Sequence, residues 1–143
     1  MSIPSTVTTI QKDAFNISSS KLEKAIFKDI SSLCAINFVN INSNPLYVAH
    51  HLYFSDSSVE VTKVTLPPIE TIKPYTFAGA SSITEVTVPE QVTKFDDDAF
   101  NGCSKISTVN YASEDRLKEM QYGSGISNPL YYGGTPVADF IFN

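Results

Sequence analysis

The sequence is poor in the residue types that mark several functional classes. It has no tryptophan, and its two cysteines, Cys34 and Cys103, lie in unrelated segments of the 143 residues. Such a pair makes neither a disulfide framework nor a metal site, so we expect two buried thiols. The 10 basic residues form no run and are outnumbered by 15 acidic ones, which gives a net charge of -5. Nucleic acid is therefore not expected as a partner.

Long apolar runs are also missing. The most apolar stretches, 35–39 and 46–53, are interrupted by asparagine or histidine and are much shorter than the about 20 residues that cross a bilayer. No membrane insertion is expected. Residues 1–4, Met-Ser-Ile-Pro, lack the charged and apolar regions of a signal peptide, which indicates a cytosolic chain, a trimmed one, or delivery by another route. An apolar content of 42% is nevertheless enough for one continuous core.

The sequence does contain an internal repeat. Residues 83–89, Ile-Thr-Glu-Val-Thr-Val-Pro, match residues 61–67, Val-Thr-Lys-Val-Thr-Leu-Pro, at an offset of 22. The pattern continues 23 residues later at Ile106, Val109 and Tyr111, and an earlier copy covers part of 4–15. Self-similarity at this period is typical of repeat architectures, in which each unit buries its apolar face against its neighbours.

Each repeat has two halves with different periodicities. The first half alternates apolar and polar residues, which predicts a short strand, and the proline that follows ends the strand pairing. In the second half, apolar residues recur every three to four positions, which predicts a helical or 3-10 turn facing the strand. Glycine then allows the backbone to reverse. These positions are Val92, Phe95, Ala99 and Phe100 for the apolar spacing, and Gly79 and Gly102 for the reversal.

A longer duplication is superimposed on the short one. Ser-Asn-Pro-Leu-Tyr at 43–47 recurs at 127–131, an offset of 84. At the same offset Asp29 aligns with Ser113, and both residue types cap helix N-termini, so a short helix is predicted after each. Asn-Pro then punctuates the chain, and a short aromatic strand follows at 52–54 and at 140–142. We interpret 29–58 and 112–143 as two copies of one island module.

These motifs resemble the BspA-like leucine-rich repeats found in surface proteins. The resemblance rests on Val-Thr-Leu-Pro at 64–67, Val-Thr-Val-Pro-Glu-Gln-Val-Thr-Lys-Phe at 86–95 and Ala-Phe-Asn-Gly-Cys-Ser at 99–104. It implies an α/β repeat, a leucine-rich-repeat-like solenoid with short parallel strands, short helical or 3-10 turns and two small α/β island inserts. One solenoid domain, 1–143, is expected as a fragment of a longer protein, with repeats at 1–28, 59–80 and 81–111 and islands at 29–58 and 112–143. Gln91 and Ile69 stand where an ordinary leucine-rich repeat has asparagine or cysteine, so no asparagine ladder is expected.

Three groups of residues suggest chemistry, and each has a simpler interpretation. Three consecutive aspartates, 96–98, suit a hard cation, but the ligand spacing of an EF-hand is missing, which favours a solvated turn. Adjacent histidines, His50 and His51, would point to opposite faces of a strand and would not share a zinc ion. Cys34 with either histidine lacks a third group and an oxyanion motif. The sequence therefore predicts no enzyme, no metal and no cofactor.

Polar strand positions are the better candidates for a binding site. They should line one exposed face of the sheet, the natural binding surface of a solenoid, or be ordinary solvated side chains. Tyrosines could add an aromatic surface for sugar or protein, although packing of the islands onto the solenoid is the favoured explanation for them. The residues on the predicted face are Thr62, Thr65, Thr84, Thr87, Thr108 and Asn110, and the tyrosines assigned to the site are Tyr131 and Tyr132, with Tyr47 and Tyr53 as further members of the aromatic group.

The resemblance implies a non-catalytic binding or adhesion module of a cell-surface or secreted protein, with a protein or glycan ligand. The alternative is a structural subunit of a filament, a virion or another extracellular assembly that associates through open solenoid ends. Two features motivate this alternative. Ile3 occupies the last apolar strand position, so the first repeat is entered halfway, and 140–142 ends where the first copy continues into another strand.

Overall fold

The structure, a computed structural model, describes residues 1–15, 22–55 and 57–126 and the backbone of the strand at 140–142. Its elements are short, and every strand pair in this part of the chain is parallel. The elements in chain order are β1 (Ser2–Ile3), β2 (Thr9–Ile10), β3 (Ala25–Phe27), α1 (Ile30–Ala35), β4 (Asn37–Phe38), a 3-10 helix (Ile41–Ser43), α2 (Leu46–Ala49), β5 (Leu52–Phe54), β6 (Lys63–Thr65), β7 (Thr71–Ile72), β8 (Glu85–Val88), β9 (Lys94–Phe95), β10 (Thr108–Tyr111), α3 (Glu114–Glu119), β11 (Gln121–Tyr122) and β12 (Phe140–Phe142).

The first strand of each repeat pairs with the first strand of the next. One sheet has the order β1-β3-β5, and a second has the order β12-β10-β8-β6. In the second sheet Val64, Val86 and Val109 are partners in adjacent strands, and all three are buried. The predicted strands and their register are therefore confirmed, because the repeat offset of the sequence is the offset between paired residues.

The second half of each repeat differs in part from the prediction in 59–111. Ile72 and Phe95 lie in strands β7 and β9, which pair with each other, and β9 also pairs with β11. The turns that follow carry i→i−3 hydrogen bonds, such as Ala78 N–H to Tyr75 O at 3.1 Å and Ala99 N–H to Asp96 O at 3.2 Å, which agree with the 3-10 alternative of the prediction and not with a helix. The apolar spacing did not predict β7 and β9, because their backbone bonds to the neighbouring repeat. Lys94 N–H donates to Glu70 O at 3.2 Å, and Asp96 N–H donates to Ile72 O at 2.9 Å. A ladder between repeats satisfies the peptide groups that a helix would have satisfied internally.

Both predicted helices are present. Asp29 caps α1, where its side chain accepts a hydrogen bond from Ser32 N–H at 2.8 Å. Ser113 caps α3 in the same way and accepts from Arg116 N–H at 3.0 Å. Each cap satisfies one N–H group that the first turn of a helix leaves without an internal partner, which explains why these residue types stand at these positions.

Residues 29–58, predicted as an island insert, supply strands to the repeat array itself. Strand β4 pairs with β2, and β5 pairs with β3. In the second copy β11 pairs with β9, and β12 pairs with β10. Helix α1 thus connects β3 to β4, and helix α3 connects β10 to β11. The repeats at 59–80 and 81–111 have a loop at the corresponding place. The second Ser-Asn-Pro-Leu-Tyr motif, 127–131, lies outside the described residues.

One cluster of buried side chains runs through all the described repeats. Phe77 stacks on Phe100 with ring centroids 5.1 Å apart, and Phe95 meets Phe100 edge-on at 5.0 Å. The turn that follows Phe77 reverses at Gly79, whose φ is 86°, a left-handed conformation that favours glycine. The core therefore lies between the sheets built from the first strand of each repeat and the sheets built from the second strand.

Candidate functional site

The candidate binding surface is the outward side of the sheet in which β6, β8 and β10 pair in register. Because Val64, Val86 and Val109 point into the core, the residues on either side of each valine point outward. They form two rows of partners across the strands. We call this surface the outer face, and its rows are Lys63, Glu85 and Thr108, and Thr65, Thr87 and Asn110.

The outer face mixes neutral and charged polar groups. Thr65 is exposed, while Thr87 and Asn110 are half-buried. Asn110 Nδ2 donates to Thr87 Oγ1 at 3.3 Å, which fixes the orientation of that amide. Lys63 and Glu85 are partners in adjacent strands, so opposite charges balance within their row. The surface offers hydrogen-bond donors and acceptors that are held in register by paired strands.

Two of the predicted residues lie one position before the strands. Thr84 N–H and Oγ1 both donate to Thr62 O, at 2.7 and 3.2 Å, so the Thr84 hydroxyl is used between repeats. Alternation counted from Val64 and Val86 places Lys63 and Glu85, rather than Thr62 and Thr84, on the outer face. Lys63 and Glu85 were not among the predicted site residues, although alternation counted from the buried valine of each strand identifies them. Tyr131 and Tyr132 lie outside the described residues.

The three aspartates 96–98 form a hydrogen-bonded turn. Asp97 N–H donates to Asp96 Oδ1 at 2.8 Å, and Ser124 N–H donates to Asp97 Oδ1 at 2.9 Å. Asn101 Nδ2 donates to Asp98 Oδ1 at 3.2 Å. The carboxylates thus bond to amides of this turn and of the next repeat. No cluster of three metal-ligating side chains occurs in the described ranges.

The two histidines bond to different parts of the chain. His50 ends α2 with a φ of 63°, and its Nδ1 lies 3.0 Å from Gly79 O in the next repeat. His51 Nδ1 lies 2.5 Å from Glu60 Oε1, within hydrogen-bonding distance. The His50 imidazole therefore contacts the next repeat, and the His51 imidazole contacts a carboxylate at the surface.

Neither cysteine has the features of a nucleophile. Burial raises the pKa of the Cys34 thiol to about 12, although Lys73 nearby acts in the opposite direction. Burial also raises the pKa of the Cys103 thiol to about 12, and Cys103 Sγ donates to Phe77 O at 3.2 Å. Because the thiolate is the reactive form, both side chains are chemically quiet at neutral pH.

Alkylation by iodoacetamide tests this environment. Cys34 is buried as expected, whereas Cys103 is half-buried. At pH 7.5 we expect Cys34 of the folded protein to react at least about 100-fold more slowly than in urea, since burial suppresses both access and ionisation, and we expect a smaller reduction for Cys103. Mass spectrometry of quenched samples gives the two rates separately. Rapid modification of Cys34 in the folded state would contradict its buried placement.

The described part of the chain has no helix with the length and hydropathy needed to cross a bilayer. Its short parallel strands, in-register repeats and few helices define an α/β repeat protein of the leucine-rich-repeat kind. Residues 17–124, more than half of the chain, match the family model described as BspA type Leucine rich repeat region, with 6 copies. The chain belongs to this family. Comparison with curated proteins and with solved structures gave no match.

Family membership agrees with the chemistry of the surface. Repeat regions of this kind are generally non-enzymatic modules for protein interaction. The match also spans 29–58, where β4 and β5 pair with strands of the preceding repeat. The family resemblance stated from the motifs is thus confirmed.

Proposed function

We propose that the repeats form one solenoid and that this solenoid is a binding or adhesion module of a cell-surface or secreted protein. Its ligand is a protein or a glycan held on the outer face. The observation that carries the proposal is the outer face itself, two rows of hydroxyl, amide and balanced charged groups kept in register by β6, β8 and β10.

Two further points support the proposal. Proteins of the BspA-type family are typically surface-associated and commonly take part in adhesion or binding. A parallel sheet also presents its outward side chains without a further cost of backbone ordering on binding, because strand pairing has already ordered the backbone. A flat polar surface of this kind suits a ligand that makes several hydrogen bonds at once.

A binding screen with two variants tests the proposal. The folded chain is presented to a panel of purified extracellular-matrix proteins and glycans, and each hit is titrated by biolayer interferometry. We expect the double variant T65R/T87R to weaken a hit at least tenfold, because two bulky cations on one row obstruct contact across the face. That loss corresponds to about 1.4 kcal/mol or more.

The control is Gln91→Arg, which places one arginine at an exposed position outside the outer face. Its affinity should stay within twofold of the parent chain. Binding that is insensitive to T65R/T87R, or no hit from a folded protein, would count against the outer face as the site.

Self-association is the second candidate function. It is supported by β1 and β2, each of which has one partner strand in the described part of the chain, on the same side of their sheets. An unpaired strand edge is a template for another strand. Size-exclusion chromatography with light scattering, followed by negative-stain microscopy, separates the two candidates: a monomer without filaments at high concentration excludes a structural subunit.

A further inference from the structure

A second surface, at the outward side of the first sheet, has a different composition. It is an open groove of about 460 Å³ lined by Glu23, Lys24, Ala49, His51, Tyr53 and Glu60. We propose that this groove is a subsite for a neutral saccharide. The proposal rests on the binding function proposed above and adds to it a ligand class and a second site.

The fold brings three separate segments together here. Ala25 and Leu52 are buried partners in β3 and β5, so their neighbours Ile26 and Tyr53 point outward. Lys24 directly precedes β3. Glu60 enters from the segment leading to β6, where Val61 N–H donates to Leu52 O at 2.8 Å. A strand, a strand entry and a connecting segment thus converge on one groove next to the sheet that carries the outer face.

The tyrosine ring supplies an apolar platform. Tyr53 is half-buried, and Lys24 Nζ lies 4.9 Å from its ring centroid. The approach of this exposed lysine shows that the ring face is open to a group coming from solvent. An exposed cation–π contact is weak, so a ligand can displace the ammonium. The apolar C–H face of a pyranose fits such a rigid ring, and the phenolic hydroxyl remains available for hydrogen bonding.

The rim carries donors and acceptors of both charges. Glu23 and Glu60 accept, Lys24 donates, and the imidazole of His51 pairs with Glu60. Burial alone raises the pKa of the Glu60 carboxyl, but hydrogen bonds from His51 and Ser82 outweigh this effect and hold the pKa below its ordinary value. Glu60 is therefore an ionised acceptor at neutral pH.

The combination of carboxylate, ammonium and imidazole groups on the rim favours some classes of ligand over others. A phosphate or sulfate would meet two carboxylates, and a basic peptide would meet Lys24. A quaternary ammonium needs a cage of several tyrosine, phenylalanine or tryptophan rings, whereas Tyr53 is the one residue of these three types among the lining residues. A sugar hydroxyl both donates and accepts, so a neutral polyhydroxy compound can satisfy carboxylate, ammonium and imidazole together. The groove volume also lies within the range of about 300–1,000 Å³ that is usual for small-ligand sites.

NMR titration tests the proposal with defined probes. Cellohexaose, chitohexaose and mannohexaose are each added to ¹⁵N-labelled protein up to 10 mM, about the concentration needed for a shallow site. At least one should bind with a Kd below 5 mM, an upper bound set near the weak end of specific affinities, and should shift the amides of Lys24, Tyr53 and Glu60. Tyr53→Ala should weaken this binding at least tenfold.

Tyr47→Ala is the matched control, because Tyr47 is an exposed tyrosine, 38% accessible, that does not line the groove. It should leave affinity unchanged. Tyr53→Phe should retain most of the affinity if the ring is the platform. If Tyr53→Ala does not fold, Glu60→Gln replaces it, and a loss of about fivefold is expected since an ionised acceptor is removed.

Several results would overturn the proposal. These are the absence of binding by all three saccharides to folded protein, binding that Tyr47→Ala and Tyr53→Ala weaken equally, or shifts confined to the outer face. Binding of a polylysine peptide in preference to the saccharides would identify a cation site instead. A matrix-protein hit that T65R/T87R abolishes and Tyr53→Ala spares would leave the proposed function intact while the saccharide subsite fails.

Discussion

Gly79→Ala is expected to destabilise the protein by about 4 kcal/mol or more, enough to abolish the native state of a marginally stable domain. Gly79 has a φ of 86°, and a Cβ placed there would lie 2.5 Å from Tyr47 Cα and 2.6 Å from Leu46 O. Both neighbours are backbone atoms of α2 in the preceding repeat, so no side-chain rotation relieves the overlap. The two repeats would have to separate locally. Urea unfolding followed by far-ultraviolet circular dichroism measures the effect.

Gly102→Ala provides the matched comparison. Gly102 occupies the same turn one repeat later, with a φ of 81°, but its Cβ would lie 3.3 Å from Gly79 Cα and N, and Gly102 is exposed. We expect a loss of about 1–2 kcal/mol from the left-handed backbone alone. Equal losses for the two variants would show that close approach of the backbones between repeats is not what requires Gly79.

The first half of the repeat, which forms a strand, was predictable because the residues that repeat in the sequence are the residues that pair between neighbouring strands. Val64, Val86 and Val109 repeat in sequence and pair in space, so the offset between copies gives the register directly. The caps were predictable for a local reason, since Asp29 and Ser113 bond to backbone three residues ahead. Interactions that stay within a few residues, or that recur at the repeat period, leave a visible pattern in the sequence.

The second half was not predictable from its spacing. Apolar residues three to four apart occur both in a helix and in a strand followed by a tight turn, and periodicity does not record which backbone groups bond outside the segment. Phe95 lies in β9 because the neighbouring repeats on both sides supply partners for β9. The same limit applies to 29–58, which was interpreted as an island because its motif recurs 84 residues later, although β4 and β5 pair with strands of the preceding repeat.

The two candidate sites differ in how much of each could be predicted from the sequence. The outer face follows from alternation in β6, β8 and β10, and Lys63 and Glu85 are identified when that alternation is counted from the buried valine of each strand. The groove around Tyr53 depends on three segments that meet only in the fold, since Glu60 reaches it from a connection after β5. Tyr53 was among the tyrosines named as candidates from the sequence, but no spacing relates it to Lys24 and Glu60, so the fold was required to bring the three residues together.

Asn44→Ala is the second prediction with a large effect. The recurrent Asn-Pro dipeptide was interpreted as chain punctuation, but Asn44 is fully buried and joins two repeats. Its Nδ2 donates to Tyr75 O at 2.7 Å and to Thr76 O at 3.1 Å, and its Oδ1 accepts from Leu46 N–H at 2.9 Å. Alanine would remove all three bonds and leave buried peptide groups without these partners. We expect a loss of about 3 kcal/mol in the free energy of unfolding.

Two further variants separate hydrogen bonding from other effects of the change. Asn42→Ala removes the same side chain two positions earlier, where Nδ2 lies 3.4 Å from Asp13 Oδ1 at the surface, and should cost less than about 0.5 kcal/mol. Asn44→Asp preserves the shape and the acceptor for Leu46 N–H but loses both donors and brings a carboxylate to two carbonyl oxygens. It should be at least as destabilising as alanine, since a buried charge without donors is costly. Near-normal stability of Asn44→Asp would show that side-chain shape, rather than donation to the next repeat, explains why asparagine stands before this proline.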